Sequence, residues 1–130
     1  MRKILIIEDD PEVLKKLLDL LLPQEKGEIF EPEWLVNICT FEDVAKFINP
    51  SWFDFVLIDH DLPNRGNGGR ILNYWFMEYE SAYFPKIIAI SAVPVNNERL
   101  INLGANVSCE KMSPDFIEKL KEELMINENA

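Results

Sequence analysis

Residues 55–59 read Phe55-Val56-Leu57-Ile58-Asp59, four apolar residues that end in a carboxylate. A short apolar run without polar alternation is typical of a strand that is buried on both faces. Such strands belong to parallel sheets covered by helices on both sides, so this run predicts an α/β fold. The acid stands at the carboxyl end of its strand, which is where α/β proteins bind their ligands.

Similar apolar runs lie on either side of this one, and segments with apolar residues at helical spacing separate them. The predicted strands cover residues 3–7, 34–40, 55–58, 86–90 and 106–110, and the predicted helices cover 13–22, 41–48, the segment around 71–76, 96–103 and the segment from 114 onward. This alternation predicts a flavodoxin-like (βα)5 three-layer sandwich, with a parallel five-stranded sheet in the order 2-1-3-4-5.

Capping signals indicate where the helices begin and end. Asp10 before Pro11 is a good N-cap. Thr40 is expected to cap the second helix, and Ser113 the last helix, with Pro114 at its first position. The expected helix ends are Pro23 and Gly27 for the first helix and Gly104 for the fourth, and the glycine-rich stretch 63–69 is expected to be a flexible loop.

Length, charge and cysteine content narrow the class of protein. The 130 residues suit a single domain over 1–130 and leave no room for an output domain. The formal net charge of −10 argues against direct contact with nucleic acid and leaves a metal cation or a basic protein open as a partner. No signal peptide or membrane-spanning stretch is evident, and Cys39 and Cys109 stand in apolar contexts. We therefore expect a cytoplasmic protein with two buried thiols and no membrane contact.

Polar side chains follow four of the predicted strands, at the edge where a parallel sheet binds ligands. Carboxylates that meet there repel one another unless a cation holds them, and hard oxygen ligands favour Mg²⁺ over zinc. A lysine and a hydroxyl nearby suit a phosphoryl group carried on a carboxylate. The residues concerned are Glu8, Asp9 and Asp10 after the first strand, Asp59, His60 and Asp61 after the third, Ser91 after the fourth and Lys111 after the fifth.

Each of these residues alone has an ordinary explanation. Asp10 is accounted for as a helix cap. Asp59 alone would be a turn residue after a strand, and Ser91 or Lys111 alone would indicate nothing. The combination carries the functional interpretation, because each residue stands at the end of its own apolar strand.

The chain resembles the receiver domain of two-component response regulators, the CheY-like superfamily, over essentially its whole length. The stretches that carry the resemblance are ILIIEDDP at 4–11, DFVLIDHDLP at 54–63, IIAISA at 87–92, and Gly104-Ala105 through Lys111. The resemblance implies a stand-alone phosphoacceptor domain in a phosphorelay. Such a domain is a signalling switch, which catalyses only its own phosphorylation and dephosphorylation, rather than an enzyme.

By this resemblance, Asp59 accepts a phosphoryl group from a sensor histidine kinase or a histidine phosphotransfer protein in a Mg²⁺-dependent reaction. A downstream protein would bind the face formed by helix 4, strand 5 and helix 5, and a weak homodimer is a further option. The implied metal contacts are Glu8 (through water), Asp9, Asp59 and Asp61 (through its backbone carbonyl), and the implied phosphoryl contacts are Ser91 and Lys111.

Three features depart from the usual receiver pattern. Met112 follows the lysine where relatives have a proline after a cis peptide bond. Because a cis bond before another residue costs about 3 kcal/mol, we expect either a trans bond with a shifted loop or a strained bond. Ser108 stands where relatives carry an aromatic residue, so we expect the loop after Ser91, at 93–97, to carry the switch alone. The loop at 63–69 is longer and richer in glycine than usual.

Two other functions stay open at this point. A phosphorylation-independent binding module would keep the fold without the chemistry, and the complete set of acids, serine and lysine argues against it. A haloacid dehalogenase-type phosphatase would share the pattern Asp59-His60-Asp61. That family places its nucleophile on the first strand and needs a later acidic pair, and neither feature is present in this sequence.

Overall fold

The computed structural model describes residues 1–22 and 33–126. The helix-end prediction at Pro23 and Gly27 lies outside these residues. Within them, strands and helices alternate along the chain as predicted, and one short hairpin is added. The strands and α-helices are β1 (Arg2–Ile7), α1 (Pro11–Leu21), β2 (Trp34–Cys39), α2 (Glu42–Ala45), β3 (Phe55–Ile58), β4 (Asp61–Leu62), β5 (Gly66–Asn67), α3 (Gly68–Glu78), β6 (Lys86–Ala89), α4 (Pro94–Asn102), β7 (Val107–Ser108) and α5 (Phe116–Glu123).

Five strands form one parallel sheet in the order β2-β1-β3-β6-β7, and β4 pairs with β5 in a separate antiparallel hairpin. Without the hairpin, this is the predicted order 2-1-3-4-5, so the flavodoxin-like prediction is confirmed. Ile7 pairs with Ile58, so β1 and β3 end at the same level. The residues that follow these two strands therefore leave the sheet side by side.

Helices cover both faces of the sheet, because successive strand residues point to opposite sides. Leu5 and Ile7 belong to a core cluster with buried residues of α2, α3 and α4. Ile4 and Ile6 belong to a second cluster with buried residues of α1 and α5. The two clusters form the two interfaces of a three-layer sandwich. No helix in the described ranges, 1–22 and 33–126, has the length and apolarity needed to cross a bilayer.

Two predicted helix caps are wrong. The chain stays extended through Phe41, at φ −119° and ψ 137°, so α2 begins at Glu42 and Thr40 does not cap it. At the last helix, the backbone carbonyl of Ser113 accepts from the N–H of Phe116, and the Ser113 hydroxyl donates to the Asp115 carboxylate. These bonds form a separate turn, and α5 begins at Phe116 rather than at the predicted proline.

The stretch predicted as a flexible loop is instead an ordered hairpin that runs into α3. Asn64 and Arg65 both have positive φ, at 58° and 61°, and the N–H of Gly66 donates to the Pro63 carbonyl at 3.0 Å. Positive φ at both central residues is the geometry of a type I′ hairpin turn. The Asn67 side chain then accepts from the N–H of Gly69 and caps α3.

Candidate functional site

The carboxyl edge of the sheet carries a cluster of three carboxylates from Glu8, Asp9 and Asp59. One ligand oxygen from each lies within 4.8 Å of the others. Glu8 and Asp9 follow β1 and Asp59 follows β3, and the matched ends of these strands set the acids side by side. The structure thus brings together three residues that follow two different strands.

Lys111 reaches into this cluster from the connection between β7 and α5. Its Nζ atom lies 2.9 Å from Oδ2 of Asp59, and 3.0 Å and 3.3 Å from the two carboxylate oxygens of Glu8. One ammonium group therefore stands against three carboxylates. An excess of negative charge is left at a largely buried site, and this donor set fits a hard cation with oxygen ligands.

Asp59 is held rigidly at the end of β3. Its N–H donates to the carbonyl of Ile7 at 2.9 Å, which extends the sheet ladder by one residue. One carboxylate oxygen, Oδ1, accepts from the N–H of His60 at 2.8 Å, and the other, Oδ2, accepts from Lys111. The side chain is 6% exposed, so the carboxylate is held by these hydrogen bonds and has little contact with water.

Glu8 is fully buried, and its Oε1 atom accepts from the N–H groups of Asp9 and Asp10, both at 3.1 Å. Burial raises the pKa of Glu8 above its usual value of 4.5, and the charge of Asp59 raises it further. The hydrogen bonds from Asp10 and Lys111 lower this pKa only in part. The protein's own groups therefore leave ionised Glu8 incompletely compensated, and a bound cation would stabilise it.

The pKa of Lys111 shifts upward despite its position. Burial lowers this pKa, but the hydrogen bonds to Asp59 and Glu8, together with their charges, outweigh burial. The ammonium form is therefore firmly held near neutral pH. Lys111 is a permanent positive charge at the site rather than a proton donor or acceptor.

Ser91 lies two residues beyond β6, the strand next to β3, and is hydrogen-bonded to residues at the start of α4. Its hydroxyl oxygen accepts from the N–H of Val93 at 3.1 Å. Its own N–H donates to Oδ1 of Asn97, and the Nδ2 atom of Asn97 donates back to the Ser91 carbonyl, both at 2.9 Å. Both side chains are almost fully buried. Asn97 was not predicted from the sequence, because an asparagine in the first turn of a helix looks like a surface residue.

The side chain of Asp61 points away from the acid cluster. Its carboxylate is 77% exposed and lies 2.9 Å from Nδ1 of His60. Nδ2 of Asn67 lies 3.4 Å from Nε2 of His60, which makes Nε2 the acceptor and assigns the ring proton to Nδ1. His60 therefore links the β3 end to the N-cap of α3. This contact was missed because the hairpin that carries Asn67 was not predicted.

Gly68 lets the first turn of α3 approach the end of β3. Its N–H donates to the His60 carbonyl at 2.8 Å, and a Cβ at this position would collide with the Asp59 carbonyl oxygen. A larger residue would have to displace one of these two backbone segments. Gly68 is thus part of the frame that fixes the carboxylate of Asp59.

A parallel five-stranded α/β sandwich of this topology is the fold of solved CheY-like response-regulator receiver domains. A receiver domain from Methanospirillum hungatei JF-1 is 26% identical, with a TM-score of 0.66 over 96% of this chain and 94% of its own. A receiver domain from Methylobacillus flagellatus is 18% identical, with a TM-score of 0.70 over 96% and 97%.

A third neighbour is the receiver domain of a sensor histidine kinase from Pseudomonas aeruginosa PAO1, described with a magnesium ion coordinated in its active-site cleft. It is 20% identical, with a TM-score of 0.61 over 95% of this chain and 94% of its own. A scan against protein-family models and a search of curated proteins found no match. The solved structures confirm the predicted resemblance: this chain has the receiver fold over nearly its whole length.

Proposed function

We propose that residues 1–130 form one phosphoacceptor receiver domain, in which Asp59 takes a phosphoryl group in a Mg²⁺-dependent reaction. The observation that carries the proposal is the contact of Lys111 Nζ with Asp59 Oδ2, inside a cluster of three carboxylates at the ligand-binding edge of a receiver fold. Such a protein is a signalling switch whose only chemistry is on its own side chain.

The donor set of the cluster supports Mg²⁺ as the ion. Asp9 and Asp59 would bind it directly and Glu8 through water, and Asp61 would offer its backbone carbonyl. Oxygen ligands with excess negative charge are the chemistry that Mg²⁺ prefers. When bound, the ion neutralises charge on the phosphoryl oxygens. The magnesium found in the cleft of the P. aeruginosa neighbour supports the same ion in this chain.

The transfer forms a bond from phosphorus to a carboxylate oxygen of Asp59. The bond from phosphorus to the donor's imidazole nitrogen breaks, and its electron pair stays on that nitrogen. Phosphoryl transfer requires positioning and charge neutralisation more than proton transfer. Lys111 supplies a fixed positive charge, Ser91 a hydroxyl donor and the N–H of His60 an anchor for Asp59 Oδ1.

The donor is a sensor histidine kinase or a histidine phosphotransfer protein, and the signal leaves through a second protein. The face made by α4, β7 and α5 is the candidate surface for that protein. β7 is an edge strand of the sheet, and Val95 and Ile101 of α4 are exposed by 48% and 40%. Apolar side chains near a sheet edge favour contact with a protein over contact with nucleic acid.

Intact mass spectrometry after incubation with acetyl phosphate tests the proposal. The wild-type protein should gain one phosphoryl group with Mg²⁺ and none in EDTA. Asp59→Asn should gain none under either condition. The matched control is Asp54→Asn at the other end of β3, where the carboxylate accepts from the N–H of Lys3, and this variant should be labelled like the wild type.

Each other outcome has a definite meaning. Equal labelling of wild type and Asp59→Asn would overturn the phosphoacceptor assignment. No labelling of a folded wild-type protein would favour the phosphorylation-independent binding module. Continuous release of phosphate without a labelled protein would favour a phosphatase.

A further inference from the structure

Ser91 is a proposed phosphoryl contact whose backbone is held by a side chain. The sheet ladder ends just before it, where the N–H of Ile90 donates to the Ile58 carbonyl. The N–H and carbonyl of Ser91 are left in a buried position and need partners. Both partners are atoms of a single residue, Asn97.

The amide of Asn97 is the group that this position requires. An asparagine side chain offers one acceptor and two donors in one plane, so it can bind both the N–H and the carbonyl of the same residue. The Ser91 N–H can only donate, which fixes Oδ1 of Asn97 toward it and Nδ2 toward the carbonyl. Asn97 is 4% exposed, so water does not compete for these bonds.

Three hydrogen bonds join Ser91 to α4 and to Val93, the residue just before the helix. Two run to the side chain of Asn97, and the third runs from the N–H of Val93 to the Ser91 hydroxyl. If the Ser91 side chain rotates so that its Oγ atom moves toward a phosphoryl oxygen, Oγ leaves the Val93 N–H and the third bond is lost. The two bonds to Asn97 do not involve the hydroxyl and survive that movement.

We propose that Asn97 is a positioning residue that aims the Ser91 hydroxyl at the phosphoryl group and carries the movement of Ser91 into α4. The inference rests on the proposed function of Asp59. It also assigns a route for the signal in a chain that has Ser108, rather than an aromatic residue, on its edge strand β7. The helix follows Ser91 because two buried hydrogen bonds connect them.

Asn96 provides a matched control within the same helical turn. It is also buried, at 7% exposed, but its Oδ1 accepts from Arg99 rather than from Ser91. Replacing either asparagine by alanine removes a buried amide from α4. Only Asn97→Ala removes the two bonds to Ser91.

Phosphorylation rates with acetyl phosphate and Mg²⁺ would be measured for wild type, Asn96→Ala, Asn97→Ala, Ser91→Ala and the double variant Ser91→Ala/Asn97→Ala. We expect Asn97→Ala to slow labelling about tenfold and Asn96→Ala to leave it within about twofold, a tenfold change being about 1.4 kcal/mol in the barrier. Because Asn97 acts through Ser91, the double variant should be no slower than Ser91→Ala. Multiplying effects in the double variant would overturn the proposal.

The second readout is the set of α4 backbone amide shifts when beryllofluoride is added to ¹⁵N-labelled protein. Wild type and Asn96→Ala should show shifts through α4, and Asn97→Ala should show them at Ser91 but not beyond the first turn of the helix. Identical α4 shifts in wild type and Asn97→Ala would overturn the relay, while wild-type labelling of Asp59 would leave the proposed function intact. If the wild-type protein is not labelled, the proposed function fails and this inference fails with it.

Discussion

The Nζ atom of Lys111 lies 2.9 Å from Asp59 and 3.0 Å from Glu8, so one ammonium group bridges two buried carboxylates that follow different strands. The Glu8 side chain has no exposed surface and that of Asp59 has 6%. Lys111 itself comes from the far end of the sheet, after β7. This contact joins three strand ends at the site, and its loss should affect both the stability of the protein and the chemistry at Asp59.

Replacing Lys111 with methionine should destabilise the metal-free protein by about 3 kcal/mol, because it leaves two buried carboxylates without their cation. Mg²⁺ should recover much of this loss. Urea unfolding in EDTA and in Mg²⁺ measures both effects. Lys119→Met is the control, since Lys119 is 57% exposed and pairs with an exposed Asp115 at 3.5 Å, so its cost should stay below about 1 kcal/mol. Equal costs for the two variants would contradict the bridging role.

Replacing Glu8 with glutamine should stabilise the metal-free protein more strongly as the pH rises. The raised pKa of Glu8 means that the folded protein holds this proton more tightly than the unfolded chain does. Glu8 contributes its full amount to the free energy of unfolding below about pH 4.5, the usual pKa, and this contribution is lost as the pH rises through the raised pKa of the folded state. Glutamine has no proton to lose. Unfolding would be measured in EDTA from about pH 4, near the usual glutamate pKa, to about pH 8. The free energy of unfolding of the variant should exceed that of the wild type by a growing amount as the pH rises, and a constant difference between the two would contradict this prediction.

Two neighbouring aspartates should differ sharply in their effect on Mg²⁺ binding. Asp9→Asn removes a carboxylate of the acid cluster and should weaken Mg²⁺ binding by about tenfold or more. Asp10→Asn should leave the affinity unchanged, because Asp10 caps α1 by accepting from the N–H of Glu12 at 2.9 Å and asparagine caps equally well. Calorimetric titration of both variants would measure this, and equal losses would argue against a separate role for Asp9.

Two adjacent glycines should also respond differently to alanine. A Cβ at Gly68 would collide with the backbone carbonyl of Asp59, whereas at Gly69 the nearest atoms belong to the side chains of Asn67 and Leu103, which can shift. We expect Gly68→Ala to cost about 3 kcal/mol and to slow phosphorylation, and Gly69→Ala to cost about 1 kcal/mol. Urea unfolding and labelling rates together test this, and normal labelling in a folded Gly68→Ala protein would show that the close approach does not position Asp59.

The sequence was sufficient for the sheet and for the identity of the clustered acids. Phe55–Ile58 is a strand with the predicted bounds because no polar residue interrupts its burial on both faces. Asp10 and Pro11 likewise mark the start of α1 as predicted. These signals are local and strong, and the right-handed crossovers account for the helices on both faces of the sheet.

Features that depend on contacts with neighbouring elements could not be predicted from the local sequence. Thr40 is a good capping residue by type, but the extended Phe41 that follows it puts the helix start one residue beyond its reach. The glycines at 66–69 indicated flexibility, yet they serve a tight turn and a close helix approach. Asn97 has no sequence signal, because its role exists only once α4 packs against the end of β6.

The central claim is that Asp59 is the phosphorylated residue, and peptide mapping tests it most directly. Protein treated with acetyl phosphate and Mg²⁺ is reduced with borohydride, which converts an aspartyl phosphate to homoserine, and is then digested and sequenced by mass spectrometry. We predict homoserine at position 59 in the treated sample and aspartate there when EDTA replaces Mg²⁺. Homoserine at position 9 or 61, or a phosphoryl group on His60, would contradict the claim.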